Sequence, residues 1–138
     1  MPHWEGAGSA YLITWRVAMG QAALGPAERD LVAENIEHFN HERYELYAYV
    51  VMDDHVHVVM LPLEGQTLAK LLHSWKSYTA NRLQRESGRE GAVWQPDYYS
   101  RIIRSEGDLC EKCSYVLSNP QRRWPEVGEY RWAKWFAP

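Results

Sequence analysis

Apolar and polar positions divide the chain into short segments of distinct period. Residues 11–18 (YLITWRVA) are rich in β-branched and aromatic side chains and predict a strand. Residues 20–25 read as a loop, and Pro26 suits the first turn of a helix. Leu31, Ile36 and Phe39 recur at rough helical spacing and carry that helix to about Arg43. Residues 44–52 (YELYAYVVM) and 55–63 (HVHVVMLPL) predict two more strands, joined by a tight hairpin at Asp53-Asp54. Both faces of these strands are largely apolar, which places them at the centre of a sheet.

Thr67 is positioned to cap a second helix that starts near Leu68. Leu68, Leu71, Leu72, Trp75 and Leu83 form its apolar stripe, and Gly88 ends it. Residues 92–103 (AVWQPDYYSRII) contain a fourth strand, broken by Pro96. Ser105, with Asp108 three residues on, begins a third helix, which ends at Asn119-Pro120 because Pro cannot continue it. In residues 122–138, Trp124, Tyr130, Trp132, Trp135 and Phe136 predict a tail that packs back on the domain. The order β-α-β-β-α-β-α predicts an α+β fold: a ferredoxin-like βαββαβ antiparallel sheet with an additional C-terminal helix.

A chain of 138 residues with 46% apolar and 24% charged side chains suits one domain with one core. No apolar run approaches the ~20 residues that a membrane span needs. The opening Met1-Pro2-His3-Trp4-Glu5 lacks the basic-then-apolar order of a signal peptide, so a cytoplasmic protein is expected. Cys110 and Cys113 form a lone C-x-x-C inside a helical pattern, with no second pair at zinc-finger spacing. They read as two unconnected thiols.

Charge is unevenly spread. Residues 1–69 hold 3 Lys/Arg against 10 Asp/Glu, whereas residues 70–138 hold 12 against 8, for a net −3. Any polyanion contact is therefore expected in the second half. Solvated helix faces would produce the same asymmetry, so it carries no function by itself.

Two residue pairs carry candidate chemistry. His55 and His57 lie one residue apart in a predicted strand, so both imidazoles point to one face and can share a divalent metal. The plain alternative is a pair of hydrogen-bonded core histidines. Tyr115 and Asn119 lie four apart in the third helix, on one face about one turn apart. A wet tyrosine and a helix-stopping asparagine are the plain alternative there. Together the pairs suggest more. Two imidazoles and an amide oxygen leave room on a metal for a phosphate oxygen, and a neighbouring phenol can attack phosphorus in line. With an oxygen-rich substrate and mixed nitrogen and oxygen ligands, Mg²⁺ or Mn²⁺ is expected over Zn²⁺.

The segment Ala48-Tyr49-Val50-Val51-Met52-Asp53-Asp54-His55-Val56-His57 resembles the histidine strand of REP-associated tyrosine transposases. These lie within the HUH single-tyrosine transposases of the IS200-like family. His73-Ser74-Trp75-Lys76-Ser77-Tyr78-Thr79-Ala80 resembles that family's middle helix. Val93-Trp94-Gln95-Pro96-Asp97-Tyr98-Tyr99 resembles its W-Q-x-x-(F/Y) strand, and Tyr115-Val116-Leu117-Ser118-Asn119-Pro120 its Y-I-x-x-N-P helix end. The resemblance covers about residues 11–132, the expected core of a single domain spanning 1–138.

The resemblance implies a ferredoxin-like fold and an enzyme that cuts and rejoins single-stranded DNA beside hairpins through a 5′-phosphotyrosine. It implies Tyr115 as nucleophile and His55, His57 and Asn119 as metal ligands. Related enzymes often act as dimers, so the resemblance admits a homodimer while leaving the oligomeric state open. One departure stands beside the site: the family usually has Pro-Asn before the first histidine, where this chain has Asp53-Asp54. The loop after Pro120 departs as well, which bears on recognition of the DNA element.

Tyr78 is the competing nucleophile, but position 82, four residues on, is Arg rather than a metal-binding side chain. Lys76, Arg82, Arg85, Arg101 and Arg104 are the expected phosphate contacts. Trp94, Tyr98 and Tyr99 are candidates for stacking on unpaired bases, with core packing an equal alternative. Two further functions fit parts of the pattern: a domesticated hairpin-binding module without cleavage, and a metal hydrolase that uses water. Replacing Tyr115 by Phe separates all three, because only the transposase loses both adduct and cleavage.

Overall fold

The period-2 segments form the middle of one antiparallel sheet. The structure is a computed structural model that describes residues 8–136. The opening Met1-Pro2-His3-Trp4-Glu5, read above for a signal peptide, lies outside the described residues. Strands β1 (Ala10–Arg16), β2 (Tyr44–Val51), β3 (His55–Pro62), β4 (Tyr99–Ile103) and β5 (Ala133–Trp135) pair in the order β4-β1-β3-β2-β5. The first four have the expected ferredoxin-like arrangement. Both predicted central strands are buried over most of their length.

Helices α1 (Pro26–His38) and α2 (Leu68–Ser87) cover one face of the sheet. There Trp15 stacks on Trp75, with ring centroids 5.5 Å apart, and meets Trp94 edge-on at 6.2 Å. Polar atoms in this core are bonded: the Trp75 indole donates to the Tyr44 hydroxyl at 3.1 Å, and the Trp94 indole to Thr79 Oγ1 at 2.9 Å. Thr67 caps α2 by accepting from the Lys70 amide, and Gly88 closes it in the left-handed region at φ 69°.

Helix α3 (Glu106–Leu117) covers the opposite face, over Ala48, Val50, Met52 and Val59. Ser105 Oγ accepts from the Asp108 amide, and Asp108 returns a carboxylate to the Arg104 amide. Ser105 thus caps the helix as expected, while Asp108 reaches the amide one residue before the cap. A bulge between Leu46 and Ala48 puts Tyr47 and Ala48 together on the α3 side, which switches β2 from one core to the other.

Three expectations are corrected. Helix α1 ends at His38, not near Arg43: Phe39 is its C-cap, and His41 takes a left-handed φ of 77° in the turn that follows. The third helix does not stop at Asn119. It gives way at Ser118 to a short helix, α4 (Asn119–Arg123), with Pro120 in its first turn, where a missing amide costs nothing. The aromatic tail packs back as expected, but it also supplies β5 along the edge of β2. Tyr130 donates to the Val51 carbonyl at 2.8 Å, and the Trp132 indole to Asp30 at 2.8 Å.

Among the described residues no helix is long and apolar enough to cross a membrane. Both cysteines are free thiols.

Candidate active site

Strand alternation places His55 and His57 on the α3 face of β3, alternating with Val56 and Val58, which face α1 and α2. Their ring centroids are 4.7 Å apart. His57 pairs with Thr14 of β1, whose hydroxyl shares a 2.7 Å hydrogen bond with His57 Nδ1. Burial brings the His57 imidazole down to about 3, with His55, Arg16 and Arg122 adding repulsion. The ring is therefore neutral in ordinary buffers, and with Thr14 accepting from Nδ1–H its Nε2 lone pair is open to a cation.

His55 Nδ1 lies 2.7 Å from Asp54 Oδ1. A carboxylate only accepts, so Nδ1 carries a proton, and in the neutral ring the lone pair is then on Nε2. That lone pair faces Asn119 Oδ1 at 3.3 Å. An Nε2–H would donate to this oxygen, whereas an Nε2 lone pair and the oxygen could together hold a cation. Among the described residues no three His, Cys, Asp or Glu side chains converge. The Asn119 amide oxygen is the side-chain oxygen beside His55 Nε2.

Tyr115 completes the cluster. Its ring centroid lies 5.5 Å from that of His57, and its side chain is 46% exposed at the wall of a cleft of about 730 Å³. The cleft runs between β4 and α3, over His57, Thr14, Tyr99, Arg101 and Lys112. Arg122 holds the tyrosine from behind. Its guanidinium lies 4.5 Å from the ring centroid and donates to the Tyr115 carbonyl at 2.9 Å and to Ser118 Oγ. Arg123, the next residue, reaches the other way and bridges Asp53 at 3.1 Å and Asp54 at 3.4 Å.

Tyr115, His55, His57 and Asn119 of a single chain thus meet. Tyr78 does not join them, because it lies on α2, across the sheet, where its hydroxyl accepts from Arg82. The expected phosphate contacts divide in the same way. Arg101 lines the cleft, and Arg104 follows it at the end of β4. Lys76, Arg82 and Arg85 lie on α2, on the far side of the sheet. Lys76 spends its ammonium on the carbonyls of Gln95, Pro96 and Asp97, and Arg82 pairs with Glu86. Of the three aromatics proposed to stack on bases, Trp94 is core, Tyr98 packs against that core, and Tyr99 is exposed in the cleft.

Sequence reasoning missed Thr14, Arg16, Arg122 and Arg123. Arg16 sits opposite His55 in the β1–β3 register and is exposed. Only that register, invisible in a linear pattern, brings it beside the histidines. The two arginines after Pro120 had a weak signal, since positions 119 and 123 share a face once a helix restarts there.

This sheet, with a histidine pair on one face and a tyrosine helix laid over it, defines an α+β domain with a candidate active site on one face. The chain belongs to the IS200-like transposase family, whose model matches residues 12–119. A Haemophilus influenzae protein described as a REP-associated tyrosine transposase is 27% identical over 90 residues, covering 58% of this chain and 51% of its own. The chain spans about half the length of that curated relative. Among solved structures, a REP-associated tyrosine transposase bound to a REP hairpin matches with a TM-score of 0.75 at 18% identity. That match covers 96% of this chain and 80% of the other. A transposase from Deinococcus radiodurans gives 0.59 at 18% identity, covering 84% and 94%. At such identities the two structures establish a shared fold.

Proposed function

We propose that the protein cuts and rejoins single-stranded DNA through a covalent 5′-phosphotyrosine on Tyr115, with a divalent cation held by His55, His57 and Asn119. The observation that carries this reading is the meeting of the phenol with two imidazoles and an amide oxygen beside the cleft.

The donor set suits Mg²⁺ or Mn²⁺, which accept mixed nitrogen and oxygen ligands and retain open positions. When bound, such an ion supplies charge stabilisation to the phosphate and to the leaving oxygen. The protein's own groups do the rest. Arg122 and the α3 backbone fix the phenol over His57. The bond from Tyr115 Oη to phosphorus forms as the bond from phosphorus to the 3′ oxygen breaks. The phenol gives up its proton, and the 3′ oxygen gains one. The ester is retained on the protein, so a 3′-OH attacking the same phosphorus reverses the step and joins a strand without ATP.

Arg101 in the cleft, with Arg104 and Arg16 on neighbouring strand ends, would meet the backbone of an entering strand, and Tyr99 would stack on a base. A hairpin with a single-stranded flank is the substrate form suggested by the solved relative, whose own ligand is a REP hairpin.

The test uses end-labelled hairpin oligonucleotides with unpaired flanks, incubated with Mg²⁺ or Mn²⁺. Cleavage with a denaturation-resistant protein–DNA band is expected for the native chain and for Tyr78→Phe, and neither product for Tyr115→Phe. Abundant cleavage by Tyr115→Phe would overturn the reading in favour of water as nucleophile.

A further inference from the structure

His55 is gripped at both ring nitrogens by elements that meet nowhere in the sequence. On the Nε2 side stands Asn119, the first residue of α4. On the Nδ1 side stands Asp54, in the turn between β2 and β3. The two sides are joined through α4 itself. Asn119 and Arg123 lie four residues apart, one turn along the same helix face. Arg123 reaches back to Asp54 and Asp53, at 3.4 and 3.1 Å. The result is a closed circuit running His55, Asn119, Arg123, Asp54 and back to His55.

The turn is anchored as well. The Asp53 carbonyl accepts from the Leu24 amide at 2.7 Å, and the Asp54 carbonyl from the Val17 amide at 3.0 Å. The backbone of both acidic residues is thereby held in place.

We propose that Asp54, braced by Arg123, is the positioning residue that fixes the His55 tautomer, keeping the proton on Nδ1 and the Nε2 lone pair turned toward Asn119. This rests on the reading of His55 as a cation ligand. It also accounts for Asp53-Asp54 standing beside the site. The Asp54 carboxylate is directed to the far nitrogen of the ring and is offset by Arg123, so it orients the ligand without facing the phosphate. A ring that is free at Nδ1 is expected to rotate or to place its proton on Nε2, where it would block the lone pair.

The experiment is long-range ¹H–¹⁵N NMR of the ring nitrogens in the full metal-free chain. It is run at about pH 8, where imidazoles are neutral, with His55 assigned by its absence in His55→Gln. It is paired with a Mn²⁺ titration followed by electron paramagnetic resonance. The native chain is expected to show the Nδ1–H form. Asp54→Ala should move His55 toward Nε2–H and weaken Mn²⁺ binding roughly ten- to hundredfold. Asp54→Asn keeps an accepting oxygen and should restore Nδ1–H and most of the affinity. Arg123→Ala should give a mixture of forms and an intermediate loss.

A native Nε2–H form would overturn the proposal. So would an Asp54→Ala protein with the native tautomer or, should that variant fail to fold, an Arg123→Ala protein with native tautomer and affinity. A native chain that shows the Asp54-dependent tautomer yet binds no Mn²⁺ would support the clamp and overturn the cation reading instead.

Discussion

Thr14 and His57 are 43 residues apart in sequence and share a 2.7 Å hydrogen bond across the β1–β3 register. The bond fixes one nitrogen of a ring that is otherwise enclosed by the sheet and α3. Thr14→Val keeps the shape and removes the hydroxyl. It is expected to leave the fold intact and to weaken Mn²⁺ binding roughly tenfold or more, as loss of a ligand's supporting bond does. Calorimetric titration beside a thermal melt checks this. Unchanged affinity would mean that packing alone holds the ring.

Arginines on the two faces of the sheet should behave differently toward DNA. Arg101 lines the cleft, so Arg101→Ala is expected to weaken binding of an unpaired strand and to lower the salt slope by about one. Arg85, on α2 across the sheet, is expected to change neither when replaced by Ala. Fluorescence anisotropy over a salt series measures both variants. Equal losses would place the strand on the α2 face.

Lys76 has become a structural cation. Burial lowers its pKa, and its ammonium bonds three successive carbonyls that lead from Trp94 into β4. Lys76→Met leaves those acceptors without their donor. It is expected to cost about 1–3 kcal/mol of stability with little effect on the salt dependence of DNA binding. Urea unfolding together with the anisotropy series separates the two roles.

Glu28 sets an acid limit on the fold. Arg89 makes a bidentate pair with it, at 2.5 and 2.8 Å, and with the Gly25 amide holds the carboxyl at about 2, against the opposing effect of burial. A carboxyl lowered in the folded state binds fewer protons there than in the unfolded chain. Its contribution is therefore complete above the ordinary value of 4.5 and is lost as pH falls from there toward 2. Glu28→Gln should flatten the stability profile in that window and cost about 1–3 kcal/mol near neutrality. Denaturant melts from pH 2 to 7 provide the check.

What could be read in advance follows the range of the interactions. Strands β1, β2 and β3 carry enough alternating or continuous apolar residues to announce themselves, and His55 and His57 share a face by spacing alone. Strand β5 has three residues and no period to detect. Phe39 continues the apolar spacing of α1, yet the backbone turns there, and His41 in the left-handed region sends the chain into β2. Pro120 is equally a helix stop and a helix start, and the structure uses it as a start. The supporting shell of Thr14, Arg16 and Arg123 depends on register and on contacts across 39 to 70 positions, which no local window contains. Lys76 read as a phosphate contact because its charge was visible and the three carbonyls facing it were not.

The most direct measurement is mass spectrometry of the trapped product. Native protein, incubated with Mn²⁺ and a hairpin oligonucleotide with an unpaired flank, is digested with nuclease and trypsin. The account predicts a nucleotide 5′-phosphate on the peptide that contains Tyr115 and on no other. The same adduct on the Tyr78 peptide, or cleaved DNA with every tyrosine unmodified, would contradict it.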